Sequence, residues 1–132
     1  MVGAGQCLSL HSFMNIQIVK QKISNKEIIR LAKETYGEMV KGVVDIKQNI
    51  MALGGELHAD CEAVLLEQGS RPADLWGFNI YPAKNSDDRI EFTSLINIRP
   101  AQGNRSIEIQ DLSLRKQIRV LIDKLVESYD RF

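Results

Sequence analysis

Apolar residues along this chain change their spacing, and the changes fall at turn-forming residues. Ile28, Leu31, Ala32 and Thr35 recur at intervals of three and four, which marks one face of a helix. Trp76, Phe78 and Ile80 recur at intervals of two against Gly77, Asn79 and Tyr81, the period of a strand. Leu114, Ile118, Leu121, Ile122 and Leu125 return to helical spacing. Gly37, the Gly54-Gly55 pair, Gly69 and the Pro100-to-Asn104 stretch punctuate these segments. A chain that alternates both periods must bury helices against a sheet, and 132 residues suffice for one core.

The local signals predict the elements in turn. A helix over residues 25–36 starts at Ser24, with Glu27 three residues on as a capping box and Ile23 against Ile28 as a staple. Gly37 suits the position after its C-terminus. Strands follow over 40–46 and 50–53, joined by a turn at 47–49, and Gly54-Gly55 suggests a bulge or a close backbone approach. Residues 56–63 alternate like a strand, whereas the composition from Ala59 onward favours a helix. The reading adopted is a strand end through about residue 57 and a helix over about 59–68.

A strand over 76–81 carries the Trp76, Phe78 and Ile80 stripe, a core feature before it is a base-stacking platform. After a polar turn, residues 89–99 alternate Ile90, Phe92, Ser94, Ile96 and Ile98, which predicts a long strand. A hairpin loop at 100–104 and a return strand over 105–110, with Ile107 and Ile109 inward, lead to a last helix capped by Asp111. The expected order is α-β-β-α-β-β-β-α: an α+β fold with an antiparallel sheet of about five strands and helices packed on one face. Residues 1–13 are expected to be a disordered extension ahead of a single domain spanning 14–132.

Charge narrows the function classes. Lys and Arg number 17, as do Asp and Glu, so the formal net charge is zero and a nucleic-acid or anionic-membrane role lacks its usual positive surplus. Residues 56–88 hold seven acidic and two basic residues, a net of −5, between flanks of net +3 and +2. No apolar run approaches the roughly 20 residues of a membrane span. Cys7 and Cys61 make no disulfide framework; Cys61 lies on the apolar phase of its segment and reads as a buried thiol, which makes the reducing cytoplasm the expected compartment.

The densest chemistry is Glu56-Leu57-His58-Ala59-Asp60-Cys61-Glu62. On a strand, Glu56, His58, Asp60 and Glu62 share one face; on a helix, His58 and Glu62 are neighbours four apart. Carboxylates and imidazole together suit a divalent cation such as Zn, Mn or Fe, and a metal held by Glu56, His58, Asp60 and Glu62 would activate water. Without metal, His58 beside Asp60 would serve as a general base. The plainer alternative is that His58 ties down a strand–helix junction and Asp60 enriches the first helical turn. A second candidate is the loop of Arg99, Asn104 and Arg105, where two guanidinium groups would hold a phosphate or carboxylate. Its plainer alternative is a hairpin with its arginines paired or in water.

The phrases Gly54-Gly55-Glu56-Leu57-His58-Ala59-Asp60, Asp74-Leu75-Trp76-Gly77 and Ile98-Arg99-Pro100-Ala101-Gln102-Gly103-Asn104-Arg105-Ser106 are similar to those of a family of small prokaryotic proteins of unknown function. The resemblance covers about residues 14–126. It implies a compact single domain in bacteria or archaea and carries no activity, cofactor or partner with it.

Three functions are therefore weighed. The first is a small cytoplasmic binding or interaction module that self-associates through sheet edges. The second is a metal-assisted hydrolase, a nuclease or phosphoesterase, with the acidic cluster on the ion and Arg99 and Arg105 on phosphate. The third is a nucleic-acid binder. The first needs no convergence of distant residues and is the expectation carried forward.

Overall fold

The computed structural model describes residues 15–85 and 87–127. The extension expected at 1–13, with Cys7 and His11, lies outside them. Five strands form one open antiparallel sheet in the order β1-β3-β2-β4-β5: β1 Gln17–Val19, β2 Val40–Asp45, β3 Ile50–Leu53, β4 Leu75–Ile80 and β5 Ile90–Glu91. Among the described residues, three helices pack on it: α1 Asn25–Glu34, α2 His58–Glu67 and α3 Leu112–Leu125. The α+β class and the five-stranded antiparallel sheet agree with the sequence.

The caps form where expected. Ser24 Oγ accepts from the Glu27 N–H at 3.1 Å, and Asp111 Oδ1 accepts from the N–H groups of Ser113 and Leu114 at 2.9 and 3.3 Å. Glu27 itself turns to Arg30 and Gln17 instead of reaching back to the cap.

The sheet is buried on both sides. Val40, Val44, Met51, Leu53, Trp76, Phe78 and Ile80 face α1 and α3. Val43, Ile50, Ala52 and Leu75 face Cys61 and Leu65 of α2. The one-sided helical layer expected from sequence thus holds for α1 and α3, while α2 covers the other side. Gly54 and Gly55 make this switch: both have left-handed φ (100° and 81°), and a Cβ on Gly54 would lie 2.5 Å from the Asn15 carbonyl oxygen.

Residues 89–99 depart from the expected long strand. Pairing with β4 lasts for two residues, and Leu95–Asn97 is a 3-10 turn. The alternating apolar residues divide between the two sides: Ile90 and Phe92 join the α1–α3 core, and Ile96 packs against the α2 core. The chain crosses over Gly77, where a Cβ would meet the Ser94 Cβ at 2.5 Å, so the approach depends on the missing side chain. Asn97, fully buried, then takes the place of a strand partner. Its Oδ1 accepts from the Gly77 N–H at 2.8 Å and its Nδ2 donates to the Gly77 carbonyl at 3.0 Å.

The return segment 105–110 is likewise not a strand. Its backbone bonds to 92–94 only through Ile107 and Ile109, and Ile107 is exposed where Ile109 is buried. The strand β1 had no sequence signal, because three residues are too few to show a period.

Candidate functional site: the cavity at the start of α2

His58 is the first residue of α2, one position earlier than the sequence suggested, and the extended Leu57 before it supplies no side-chain cap. The ring is buried, and its Nε2 lies 2.9 Å from the Phe78 carbonyl oxygen. A carbonyl can only accept, so Nε2 carries the hydrogen, and in the neutral ring Nδ1 is left as an acceptor. Burial holds the imidazole below its ordinary pKa, and the Lys41 charge adds to this; the Phe78 carbonyl, the Asn79 side chain and Glu91 oppose it. The positive end of α2 disfavours an imidazolium in the same sense.

Asn79 sits opposite Lys41 in the β2–β4 register, on the α2 side of the sheet. It is 6% exposed. Its Nδ2 donates to Glu91 Oε1 at 2.7 Å and to the Thr93 carbonyl at 3.3 Å, and its Oδ1 has no hydrogen-bond partner. The amide lies close enough to His58 to favour the charged ring, yet outside hydrogen-bond geometry for Oδ1.

These groups form the polar end of a cavity of about 370 Å³. Lys41 lines one margin, and Leu57, Leu95, Ile96 and Ile107 supply apolar walls. Leu57 and Leu95, at 56% and 78% exposure, leave an apolar rim at its mouth.

The metal cluster expected at Glu56, His58, Asp60 and Glu62 is not assembled. Among the described residues, no group of three or more His, Cys, Asp and Glu side chains comes together to hold an ion. The carboxylate that acts on His58 is Glu91, not any of the three acids near it in sequence. Glu56 is exposed, Asp60 lies in the first turn of α2, and Glu62 is half-buried with its charge felt by Arg99. The plainer alternative, an imidazole tying a helix start to the sheet, is what the geometry contains. Cys61 is the buried thiol expected: its Sγ donates to the Gly54 carbonyl at 2.9 Å, and burial pushes its pKa far up.

The anion site expected at Arg99, Asn104 and Arg105 also separates. The Arg99 guanidinium lies 4.5 Å from the centre of the Trp76 ring and donates to the carbonyls of Ile96, Pro72 and Leu75 and to Gln102 Oε1. Asn104, 5% exposed, donates to the carbonyls of Asn97, Ser106 and Glu108 and accepts from the Gln110 N–H. Arg105 is left exposed. Arg99 does not line the His58 cavity, so the two regions do not converge.

The profile of a family described as "Protein of unknown function (DUF5674)" matches residues 17–125. The chain belongs to the DUF5674 family. No curated protein and no solved structure matches it. The matched span of this DUF5674 chain contains every element described above except the last residues after α3.

Sequence reasoning missed Asn79, Lys41 and Glu91 as partners of His58. One signal was available for Asn79: it alternates with a core stripe on a strand whose other face also carries Gly77, as a covered position would. A polar side chain at a covered position needs partners. Chemically, two side chains that line the DUF5674 cavity, Asn79 and His58, each leave an acceptor without a protein partner, Oδ1 and Nδ1.

Proposed function

We propose that this DUF5674 domain is a binding module whose recognition site is the cavity at the start of α2. The observation that carries the reading is Asn79 Oδ1, nine-tenths buried and without a partner at the polar end of an apolar cavity. Burying an amide oxygen without a hydrogen bond costs on the order of 1–3 kcal/mol, a cost that a ligand donor would relieve. A cytoplasmic location belongs to the same proposal and is supported by the free, buried Cys61 thiol.

Self-association through sheet edges has less support than the sequence suggested, because the edge strands are three and two residues long. A second copy seated on the Leu57–Leu95 rim is the competing occupant of the cavity mouth. The metal-assisted hydrolase has less support: the described residues bring no three of its metal ligands together, and Arg99 is engaged within the fold. A nucleic-acid role gains nothing from Arg99, whose donors are engaged within the fold.

The test is a titration of the uniformly ¹⁵N-labelled protein with indole, phenol and benzoate at millimolar concentration. At least one of these should shift amide resonances clustered at residues 41, 57–59, 79, 93–96 and 107, saturably. The same resonances moving with protein concentration alone, accompanied by dimer in sedimentation velocity, would assign the rim to a second copy. Shifts confined to other surfaces would overturn the reading.

A further inference from the structure

We infer that the ligand of this cavity is an uncharged molecule with an apolar body and one N–H or O–H donor, which bonds to Asn79 Oδ1 and His58 Nδ1. The inference rests on the binding reading above and specifies its chemistry. The donors of the amide and the imidazole are already engaged. Asn79 Nδ2 is held by Glu91 and Thr93, and the His58 Nε2 hydrogen is held by the Phe78 carbonyl. What these two side chains leave unpaired in the cavity wall is therefore acceptor, and an acceptor is answered by a donor.

Charge points the same way. A cation would enter an apolar cavity beside Lys41 and the positive end of α2; Glu91 favours positive charge there, but burial outweighs it, as it does for the imidazolium. An anion would face the lone pairs of Asn79 and His58. Lys41, the group that would attract it, has its ammonium 5.1 Å from the centre of the Tyr36 ring at the margin of the site. The remaining walls are mostly apolar, from Leu57, Ala59, Leu95, Ile96 and Ile107, with the hydroxyls of Thr93 and Ser94 between them; Ser94 Oγ is engaged by the Ile96 N–H. About 370 Å³ accommodates a two-ring molecule.

The experiment compares indole with benzofuran, its near-isostere without an N–H, and with benzoate, each titrated into the full chain and followed at the His58 and Asn79 side-chain resonances. Indole should saturate both signals, and benzofuran should bind at least about fivefold more weakly, the worth of one hydrogen bond. Asn79→Ala, checked for folding by its amide spectrum, should reduce that preference to about twofold or less. Equal binding of indole and benzofuran at the cavity would overturn the donor inference and leave the binding module standing. Tighter binding of benzoate would overturn it in favour of an anion drawn by Lys41. No binding of any probe at these residues would count against the module itself.

Discussion

Two buried asparagines, Asn104 and Asn79, are 5% and 6% exposed, yet they differ in what they have to bond. Asn104 meets three carbonyls and one N–H, so both ends of its amide are satisfied and the loop from 97 to 110 is gathered around it. Asn79, in the wall of a cavity, satisfies its nitrogen and leaves its oxygen buried without a partner. Arg99 belongs with the first pattern and His58, through Nδ1, with the second. A satisfied buried polar group is accounted for by the fold. An unsatisfied one beside empty volume requires something from outside, and that contrast separates scaffold from site in this molecule.

The contrast can be broken by substitution. Asn104→Ala strands several buried carbonyls at once and should lower unfolding free energy by about 3 kcal/mol in urea denaturation. A loss under about 1 kcal/mol would show that the loop does not depend on it. Arg99→Ala removes four donor contacts and the stacking on Trp76 and should cost about 2 kcal/mol, while leaving probe binding at the His58 cavity unchanged. Weakened probe binding in that variant would mean that the two regions are coupled after all.

The pH dependence sharpens the other half of the comparison. Folded His58 has a pKa below the ordinary 6.5. As pH falls through about 6.5, the unfolded chain takes up a proton that the folded chain refuses, so stability falls until the folded pKa is reached and then levels. The slope contributed is at most about 1.4 kcal/mol per pH unit. His58→Gln should flatten stability between pH 6.5 and the folded pKa; an unchanged slope would place the effect elsewhere. The smallest effect is expected for Asn79→Ala, about 1 kcal/mol. It frees Glu91, which is exposed and can turn to water, and it removes an oxygen that had no partner. A loss as large as that of Asn104→Ala would erase the distinction.

What was legible in the sequence was what local chemistry dictates. Ser24, Asp111 and the β2–β3 hairpin declare themselves within a few residues, and the Trp76, Phe78 and Ile80 stripe is core because one strand face repeats every two residues. The segment 89–99 was misread for a physical reason. Alternation shows that residues are buried in turn, but not that the chain has crossed from one side of the sheet to the other between Phe92 and Ser94. Gly77, 17 residues before Ser94, leaves the space for that crossing. The charged heptad drew notice to His58 and its acidic neighbours together, and the fold sets them apart. A helix starting at His58 turns its imidazole into the sheet, toward Asn79 and Glu91, and leaves Glu56 outside.

The most direct measurement is the tautomer of His58, read from long-range ¹H–¹⁵N correlations of its ring at pH 7. A neutral ring protonated on Nε2, with Nδ1 resonating as an unprotonated nitrogen, is the predicted result. A ring protonated on Nδ1, or an imidazolium at that pH, would remove one of the two acceptors on which the binding site is built.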